Sequence, residues 1–328
     1  MVAGISVVIP NYNGIHLFEH TLPTVVEALQ HVNKPNEIIV VDDCSTDTSV
    51  AYLQQHYPEI KIIQNKVNSG FSVTANNGIK AATYDKVLLL NSDVKLTPDY
   101  FANQYKYFDK PDTFGVMGRI VGWEDEKIQD GAKFPYYHGS KIKTSGNYLL
   151  KDERLMQDGL YSMYLSGANA FIDKEKFLLI GGFNELFSPF YVEDYELSLR
   201  AWRLGFKCYY DYNSVCRHQV STSIKSKSKK RYVSTIYDRN KMFLHAIHLE
   251  GVQRLLWYLQ LIPEALVRIF TFRWHYLKSL SMFMNASEQV NQSRLQFETK
   301  SKALGTRCSI GEIKEFILSS IKAEKVIL

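Results

Sequence analysis

Carboxylate and amide side chains follow the apolar, β-branched runs in the first third of the chain. Asn11-Tyr12-Asn13 follows the first run, Asp42-Asp43 follows the second, and Asn91-Ser92-Asp93 follows the fourth. A carboxylate accepts hydrogen bonds from base N–H groups and ribose hydroxyls, and Asp43 is the candidate for that contact. A hard cation such as Mg²⁺ takes oxygen ligands and keeps few protein ligands beside substrate phosphates, and Asp93 is the candidate for that role. The pattern predicts a site for a nucleotide diphosphate with a divalent metal ion.

These groups can act together only if the apolar runs are neighbouring parallel strands. Residues 5–10, 37–41, 60–64 and 86–90 are such runs, and helix-like amphipathic stretches lie between them near 17–31, 46–56 and 72–82. The alternation predicts βαβ units of about 30 residues and an α/β fold with a mostly parallel sheet and helices on both faces. Ligands bind such sheets beyond the carboxyl ends of the strands, so we expect the polar groups to gather at one edge.

Each polar strand end also has a plainer interpretation as a helix cap. Ser45, and either Asn91 or Ser92, are residue types that commonly cap the N-terminus of a helix. Both interpretations fit any single strand end, whereas four polar strand ends together, with Asn68-Ser69-Gly70 shortly after the third run, favour a ligand site.

Composition and missing motifs exclude several classes of protein. The net charge of +5 is a mild excess that does not indicate a nucleic-acid binder, and we expect no nucleic-acid partner. GxGxxG is absent after the first run, as are GxxxxGK[ST], HExxH and GxSxG, which argues against dinucleotide oxidoreductases, P-loop enzymes, zinc proteases and α/β-hydrolases. The four cysteines show no metal spacing and are interpreted as reduced thiols. With no signal-peptide pattern and no apolar span, we expect a cytoplasmic protein.

Several motifs, in order, resemble those of family 2 glycosyltransferases, which are inverting enzymes of the GT-A fold. The resemblance begins with VVIPNYN at 7–13 and VVDDCSTD at 40–47. It continues with NSGF at 68–71, NNGI at 76–79 and LLLNSD at 88–93, the last at the position of the family's metal-binding D-x-D motif. SGA at 166–168, GGFNE at 181–185 and FYVEDYEL at 190–197 are similar to its acceptor-side and catalytic-base block. The similarity spans roughly residues 5 to 220.

The resemblance implies a role for each matching residue. Asp194 would be the general base, while Asp93 and His218 would hold the divalent metal, Mg²⁺ or Mn²⁺. Only the last carboxylate of the D-x-D motif is present, which makes His218 more important. The acceptor side would include Gly167, Ala168 and Glu193. The residues implied in binding the nucleotide sugar are Pro10, Tyr12, Asn13, Asp43, Gly70, Phe71, Asn76, Asn91, Ser92 and Asp93.

Asp194 and His218 each have an alternative interpretation. Residues 193–204 read as a helix that ends at Gly205, so Asp194 lies in its first turn. There the helix dipole favours its charged form and Glu193 opposes it, yet both acids could simply be exposed first-turn acids. His218 could be a partly buried histidine following a strand at 208–212.

The predicted organisation is a GT-A domain over residues 1–220, with a nucleotide-binding half (1–120) and an acceptor and catalytic half (121–220). Residues 221–328 form a mainly helical C-terminal extension. The basic run at 225–231 is interpreted as a solvated loop, a lid over the donor diphosphate, or a contact for anionic lipids. Aromatic and arginine residues in 251–285 suit a membrane interface, packing on the sheet domain, or a homodimer. A peripheral position on the inner face of the cytoplasmic membrane is thus an alternative location.

Together these features predict an inverting transferase that moves a sugar from a nucleotide-diphosphate sugar to an acceptor hydroxyl. By resemblance, the acceptor is a glycan or glycolipid in surface polysaccharide or glycolipid synthesis. One rival is a sugar nucleotidyltransferase, but its glycine-rich G-x-G-T-R stretch is absent. The other is a catalytically silent glycan-binding or scaffold protein with the same fold.

Overall fold

Four parallel strands form one half of the central sheet. The computed structural model describes residues 2–219, 230–321 and 323–327. The strands lie in the order β4–β1–β2–β3 and confirm the predicted βαβ units. Their bounds, with those of the connecting helices, are β1 Val2–Asn11, α1 Ile15–Val32, β2 Asn36–Asp42, α2 Ser49–His56, β3 Lys61–Gln64, α3 Phe71–Ala81 and β4 Tyr84–Leu90.

The second half of the domain enlarges this sheet in a mixed arrangement. The strands are β5 Val94–Leu96, β6 Thr113–Gly122, β7 Ile128–Asp130, β8 Pro135–His138, β9 Lys141–Thr144, β10 Tyr148–Leu150, β11 Leu160–Tyr161, β12 Asn169–Asp173 and β13 Lys207–His218. β12 inserts antiparallel between β4 and β6, and β13 then pairs in parallel with β6. Within the described residues the sheet has the order β11-β13-β6-β12-β4-β1-β2-β3, with β5 on β13 and β7 on β6.

Both faces of the parallel strands are buried because helices cover each of them. Successive residues of a strand point to opposite faces. Val7 accordingly belongs to the core that contains Phe18 of α1, whereas Val8 belongs to the core that contains Ala75 of α3. A Cβ at Gly78 would lie 2.3 Å from Cγ1 of Val8, so glycine lets α3 pack directly on the sheet.

Helices α4 Lys174–Ile180 and α5 Glu193–Arg203 complete this domain, together with short 3₁₀ helices at Tyr105–Asp109, Glu153–Met156 and Glu185–Phe187. α5 matches the predicted helix to within one residue, with Leu204 at its C-cap and Gly205 at a φ of 91°. β13 is longer than the predicted strand at 208–212, and His218 is its last residue rather than part of a following loop.

The C-terminal extension is mainly helical, as predicted. Its helices are α6 Lys230–His248, α7 Gly251–Phe270, α8 Trp274–Asn285, α9 Ser287–Leu304 and α10 Ile310–Ser319. The tail returns to the segment 121–220, where strand β14 (Lys325–Ile327) pairs antiparallel with β10. No helix among residues 2–219 and 230–321 is long and apolar enough to cross a membrane. Of the basic run at 225–231, residues 225–229 lie outside the described residues.

Candidate active site

A cavity of about 350 Å³ lies at the carboxyl edge of β1, β2 and β4, where the polar strand ends were expected to meet. Its size is typical of a small-ligand site. Phe190 and Tyr232 also contribute to its wall, from the segment before α5 and from α6. The predicted residues that line it are Pro10, Tyr12, Asn13, Asp43, Gly70, Phe71, Asn91, Ser92 and Asp93.

Asp42 joins the first two strand ends through hydrogen bonds. Its Oδ1 accepts from Asn11 Nδ2 at 2.9 Å, and its Oδ2 accepts from the Ser45 amide at 2.9 Å. The side chain of Asn13 accepts from the amides of Thr46 (2.7 Å) and Asp47 (3.1 Å), so it organises this turn. Asn13 therefore borders the cavity with its side-chain oxygen already engaged.

The helix-cap interpretations do not hold at these strand ends. α2 begins at Ser49 and has Thr48, not Ser45, at its N-cap position. Asn91 and Ser92 precede strand β5 rather than a helix, and the turn is closed by the amide of Val94 donating to Asn91 O at 3.2 Å. The alternative that these residues cap helices is therefore wrong.

Asp43 is buried and organises the loop that leads into α3. Its Oδ1 accepts from Asn65 Nδ2 (2.8 Å) and the Ser69 amide (2.9 Å), and its Oδ2 accepts from the Gly70 amide (2.8 Å). Each oxygen of an ionised carboxylate offers more than one lone pair, so capacity for a ligand N–H or O–H remains. Asp43 thus shapes the cavity wall as well as lining it.

Gly70 is needed where the two halves of the site meet. Its φ of 84° is strained for any residue with a side chain. A Cβ there would also lie 2.6 Å from Cα of Pro189. The next amide, of Phe71, donates to Pro189 O at 2.9 Å. The loop between β3 and α3 is therefore joined directly to the segment that leads into α5.

Asp93 and His218 face each other, as a shared metal site would require. Gln129 Nε2 donates to His218 O at 3.0 Å, which orients the amide so that its Oε1 lies 2.8 Å from His218 Nδ1. Nδ1 therefore carries a hydrogen, and Nε2 is the ring nitrogen that faces Asp93. His218 Nε2 lies 3.4 Å from Asp93 Oδ1, and that buried oxygen accepts no hydrogen bond.

The Asp93 carboxylate oxygen and His218 Nε2 provide a donor set that suits a divalent cation. Gln129 orients His218 from behind, as partners of metal-binding histidines commonly do. Among residues 2–219, 230–321 and 323–327, no group of three His, Cys, Asp or Glu side chains is arranged to hold a metal. Asp93 and His218 fit a metal that completes its coordination with phosphate oxygens and water.

Asp194 lies behind the wall of the large cavity rather than on it. Its Oδ2 accepts from the Gly167 amide at 3.1 Å and its Oδ1 from the Tyr195 amide at 2.7 Å. A Cβ at Gly167 would lie 3.4 Å from Cζ of Phe71 and 3.6 Å from Cβ of Asp194, so Gly167 separates Asp194 from the ring that lines the cavity. Asp194 and Gly167 line a separate, small cavity. The structure therefore brings Asp43 and Asp93 to one cavity. The Phe71 ring and Gly167 separate Asp194 from that cavity.

Burial perturbs the two adjacent acids at the start of α5. It raises the pKa of Asp194, and the two amide donors oppose that rise. Burial, reinforced by the charge of Asp194, places the pKa of Glu193 well above its ordinary value, and Glu193 Oε2 has no hydrogen-bond partner. Glu193 is buried and Asp194 is half-buried, so neither is an exposed first-turn acid. Just before them, Tyr191 and Val192 both have a φ of 73°, a conformation that bulky residues rarely adopt and that is concentrated at functional sites.

Asn76 occupies a different place from the one predicted. Its Nδ2 donates to Phe183 O and Glu185 Oε1, and its Oδ1 accepts from the Phe183 amide, all at 2.9 Å. The side chain is buried and does not line the large cavity. Asn76 therefore does not lie where a contact with the nucleotide sugar was predicted. Its hydrogen bonds instead hold α3 against the 181–185 loop. Ala168 also contributes through its backbone, because its carbonyl accepts from the Asn91 amide at 3.1 Å.

Residues 6–178 match the model of the family described as Glycosyl transferase family 2. The chain belongs to that family. Among curated relatives, it is 31% identical over 137 residues to the uncharacterized glycosyltransferase YwdF of Bacillus subtilis (strain 168), a match to 40% of this chain and 47% of that protein. It is 32% identical over 123 residues to the poly(ribitol-phosphate) beta-glucosyltransferase of Bacillus spizizenii, a match to 36% of this chain and 19% of that protein. The matches thus span less than half the length of these relatives.

Solved structures confirm the GT-A fold of this family 2 chain. GalNAc-T7 with UDP, GalNAc and Mn²⁺ superposes with a TM-score of 0.67 at 15% identity, over 97% of this chain and 57% of that one. S. aureus TarS 1-349 in complex with UDP-GlcNAc superposes with a TM-score of 0.54 at 16% identity, over 99% and 96% of the two chains. At these identities the likeness establishes the fold.

Asn240 of α6 is a positioning residue that sequence reasoning missed in this family 2 chain. It is fully buried, and its Nδ2 lies within hydrogen-bond distance of three carbonyl oxygens, those of Phe187 (2.6 Å), Phe190 (3.0 Å) and Tyr191 (2.8 Å). It thereby holds the loop that precedes Asp194. No local sequence signal identifies it, because its partners lie 49 to 53 residues away in the chain.

Proposed function

We propose that this protein is an inverting, metal-dependent glycosyltransferase. It would move a sugar from a nucleotide-diphosphate sugar to the hydroxyl of a glycan or glycolipid acceptor in the synthesis of a surface polysaccharide. The observation that carries the proposal is the buried Asp93 carboxylate oxygen, which accepts no hydrogen bond and lies 3.4 Å from His218 Nε2. Asp93 also lines a cavity of ligand size at the strand ends.

The cavity residues account for donor binding. Asp43 and the turn around Asn13 form one side, where a base and ribose would lie, and Asp93 forms the side where the diphosphate would lie. A divalent cation held by Asp93 and His218 would supply charge neutralisation to the departing diphosphate. Gln129 keeps His218 Nε2 aimed toward Asp93, so this chain holds the ligand pair in place before any donor binds.

Asp194 is the proposed general base. The acceptor oxygen would form a bond to C1 of the sugar while the bond from C1 to the diphosphate oxygen breaks, and the acceptor proton would pass to a carboxylate oxygen of Asp194. A single displacement of this kind inverts the configuration at C1. The amides of Gly167 and Tyr195 fix the orientation of the carboxylate. Its raised pKa makes it a stronger base than an exposed carboxylate.

The relatives support the setting and the reaction class. One is named a poly(ribitol-phosphate) beta-glucosyltransferase, and another, from Bacillus subtilis (strain 168), a putative teichuronic acid biosynthesis glycosyltransferase, TuaG. Two structural neighbours were solved with Mn²⁺, one of them with UDP and the other with GDP-Man. Which nucleobase the donor carries therefore needs a direct test.

The donor can be identified without knowing the acceptor. Thermal-shift titration with UDP, GDP and dTDP, with and without Mn²⁺, should show stabilisation by one nucleotide that depends on the metal. Asp93→Asn and His218→Ala should each remove the metal-dependent part of that stabilisation. Stabilisation that is equal with and without Mn²⁺ in the unsubstituted protein would contradict the metal assignment.

Asp194→Asn tests catalysis separately from binding. With the donor so identified, slow hydrolysis of the nucleotide sugar or transfer to an acceptor should fall about 10²–10⁴-fold, while nucleotide binding is retained. Asp99→Asn, at an exposed position, is the matched control and should leave the rate unchanged. An unchanged rate in Asp194→Asn would remove Asp194 as the base. Donor binding without turnover in the unsubstituted protein would favour the silent scaffold.

A further inference from the structure

The outward side of helix α7 is apolar along its whole length. Val252, Leu255, Leu259, Ile262 and Leu266 are all exposed. A helix of this length is about 30 Å long, so the apolar surface exceeds the scattered exposed residues of ordinary soluble proteins. An uninterrupted apolar surface of this kind indicates a docking face, here called the α7 face.

The charged residues of α7 are turned away from this face. Glu264 accepts from Tyr276 Oη at 2.9 Å and from Gln260 Nε2 at 2.7 Å. The guanidinium of Arg268 lies over the Tyr276 ring, 5.3 Å from its centroid. Arg254 is likewise only partly exposed. The α7 face is therefore free of charge although its helix carries three charged residues.

An apolar groove opens onto the α7 face. It has a volume of about 630 Å³ and lies between α7, α8 and α9. Tyr258, Ile262, Leu266 and Met284 belong both to its wall and to the exposed apolar residues, so the groove is continuous with the face. Its size lies within the range of ligand pockets, and its mainly apolar wall fits a hydrocarbon chain.

Aromatic and basic residues cluster where α7 turns into α8. Phe270 and Phe272 are 80% and 77% exposed, and Trp274 follows at 58%. Arg273 lies between Phe272 and Trp274 in the chain, and Lys278 follows Trp274 by one helical turn on the same side of α8. Exposed aromatic rings next to cations are typical of helices that lie in the plane of a membrane surface.

We propose that the α7 face and the aromatic turn bind the surface of an anionic lipid bilayer, with one hydrocarbon chain entering the groove. The exposed cations Arg273 and Lys278 lie at the aromatic turn, and the one acid of residues 251–285, Glu264, is paired within the protein. The surface is therefore net positive and complementary to anionic headgroups. A symmetric dimer through the same face would bring this positive surface against its own copy. The proposal does not depend on the transfer reaction.

Vesicle co-sedimentation tests this proposal on the full chain. Vesicles of phosphatidylglycerol should bring the protein into the pellet, and vesicles of phosphatidylcholine should leave most of it in the supernatant. Replacing the three exposed aromatics together, F270S/F272S/W274S, should weaken binding at least about 100-fold, because each buried aromatic contributes strongly to partitioning. The pair R273E/K278E should weaken binding to phosphatidylglycerol at least about 30-fold and make it less sensitive to salt.

The controls separate lipid binding from misfolding and from self-association. All of these side chains are exposed, so the variants should unfold at the temperature of the unsubstituted protein. L178S/L179S, on the exposed side of α4, is the matched control and should sediment as the unsubstituted protein does. Protein that stays in the supernatant with phosphatidylglycerol would overturn the proposal. So would aromatic-turn variants that still bind fully, or analytical ultracentrifugation showing a dimer that the aromatic substitutions dissolve without any vesicle binding.

Discussion

Asn240→Ala should loosen the contact between the C-terminal extension and the 187–191 loop that precedes Asp194. The amide nitrogen carries two hydrogens and lies near three carbonyl oxygens, so at least two buried carbonyls lose their donor in the variant. A buried polar group left without a partner costs about 1–3 kcal/mol. The expected loss is therefore about 2–5 kcal/mol in the free energy of unfolding. Asn240→Asp should be more damaging, because a carboxylate would then face the same carbonyl oxygens.

Two measurements distinguish a positioning role for Asn240 from a purely structural one. Urea unfolding gives the loss of stability, and Asn291→Ala, at an exposed site in α9, corrects for helix propensity. At a temperature where the variant is folded, kcat should fall more than the affinity for the donor, because the loop leads directly into Asp194 and contributes only Pro189 and Phe190 to the cavity wall. A change below about 1 kcal/mol, or equal stability of Asn240→Ala and Asn240→Asp, would refute the reasoning.

Three further predictions concern the strained glycine and two buried acids. Gly70→Ala should lower stability by about 1–3 kcal/mol in urea unfolding and weaken nucleotide binding, because a strained φ and a clash with the facing proline act together. Gly305→Ala, at a φ of 63° with nothing within 4 Å, measures the cost of φ alone. Burial raises the pKa of Glu193, so stability should fall as pH rises above the ordinary glutamate range, and Glu193→Gln should lessen that fall and be more stable at neutral pH. Burial would raise the pKa of Glu196, but the charge of Arg200 and the hydrogen bonds from His248 and Arg200 together outweigh it and lower the pKa to about 2. Its stabilisation is therefore present at neutral pH and lost as pH falls from the ordinary range toward 2, and Glu196→Gln should cost about 3–5 kcal/mol at neutral pH.

Each of these predictions has a contrary result. Equal losses of stability in Gly70→Ala and Gly305→Ala would mean that the close approach of the Pro189 backbone to Gly70 adds nothing to the cost of the substitution. A Glu193→Gln variant with the same pH profile of unfolding as the unsubstituted protein would contradict the raised pKa. A loss below about 1 kcal/mol in Glu196→Gln would show that the pair with Arg200 contributes little.

The parallel half of the fold was predictable because its signals are local. Strands buried on both faces read as continuous apolar runs, and the polar residues that end them can be located by eye. The sequence therefore places Asp43 and Asp93 at one edge of the sheet, and both line the cavity at that edge.

The remaining features depend on contacts between distant parts of the chain. Asn76 bonds to Phe183, 107 residues later, and no periodic pattern distinguishes that contact from one with a ligand. The insertion of β12 between β4 and β6 likewise reflects long-range strand pairing. The strand predicted at 208–212 is too short because the register with β6 shifts between Asp211 and Val215, after which pairing resumes and runs to His218. The distance of Asp194 from the large cavity follows from the packing of Phe71 and Gly167, which sequence does not report.

The contacts made by Asn240 and β14 bear on how such enzymes can diversify. A family member that exchanged everything after residue 220 for the tail of another would lose the amide that holds the 187–191 backbone and the strand that pairs with β10. The C-terminal extension and the segment 148–191 must therefore be inherited together. New specificities in this lineage would arise more readily by changes within the cavity wall than by shuffling its terminal module.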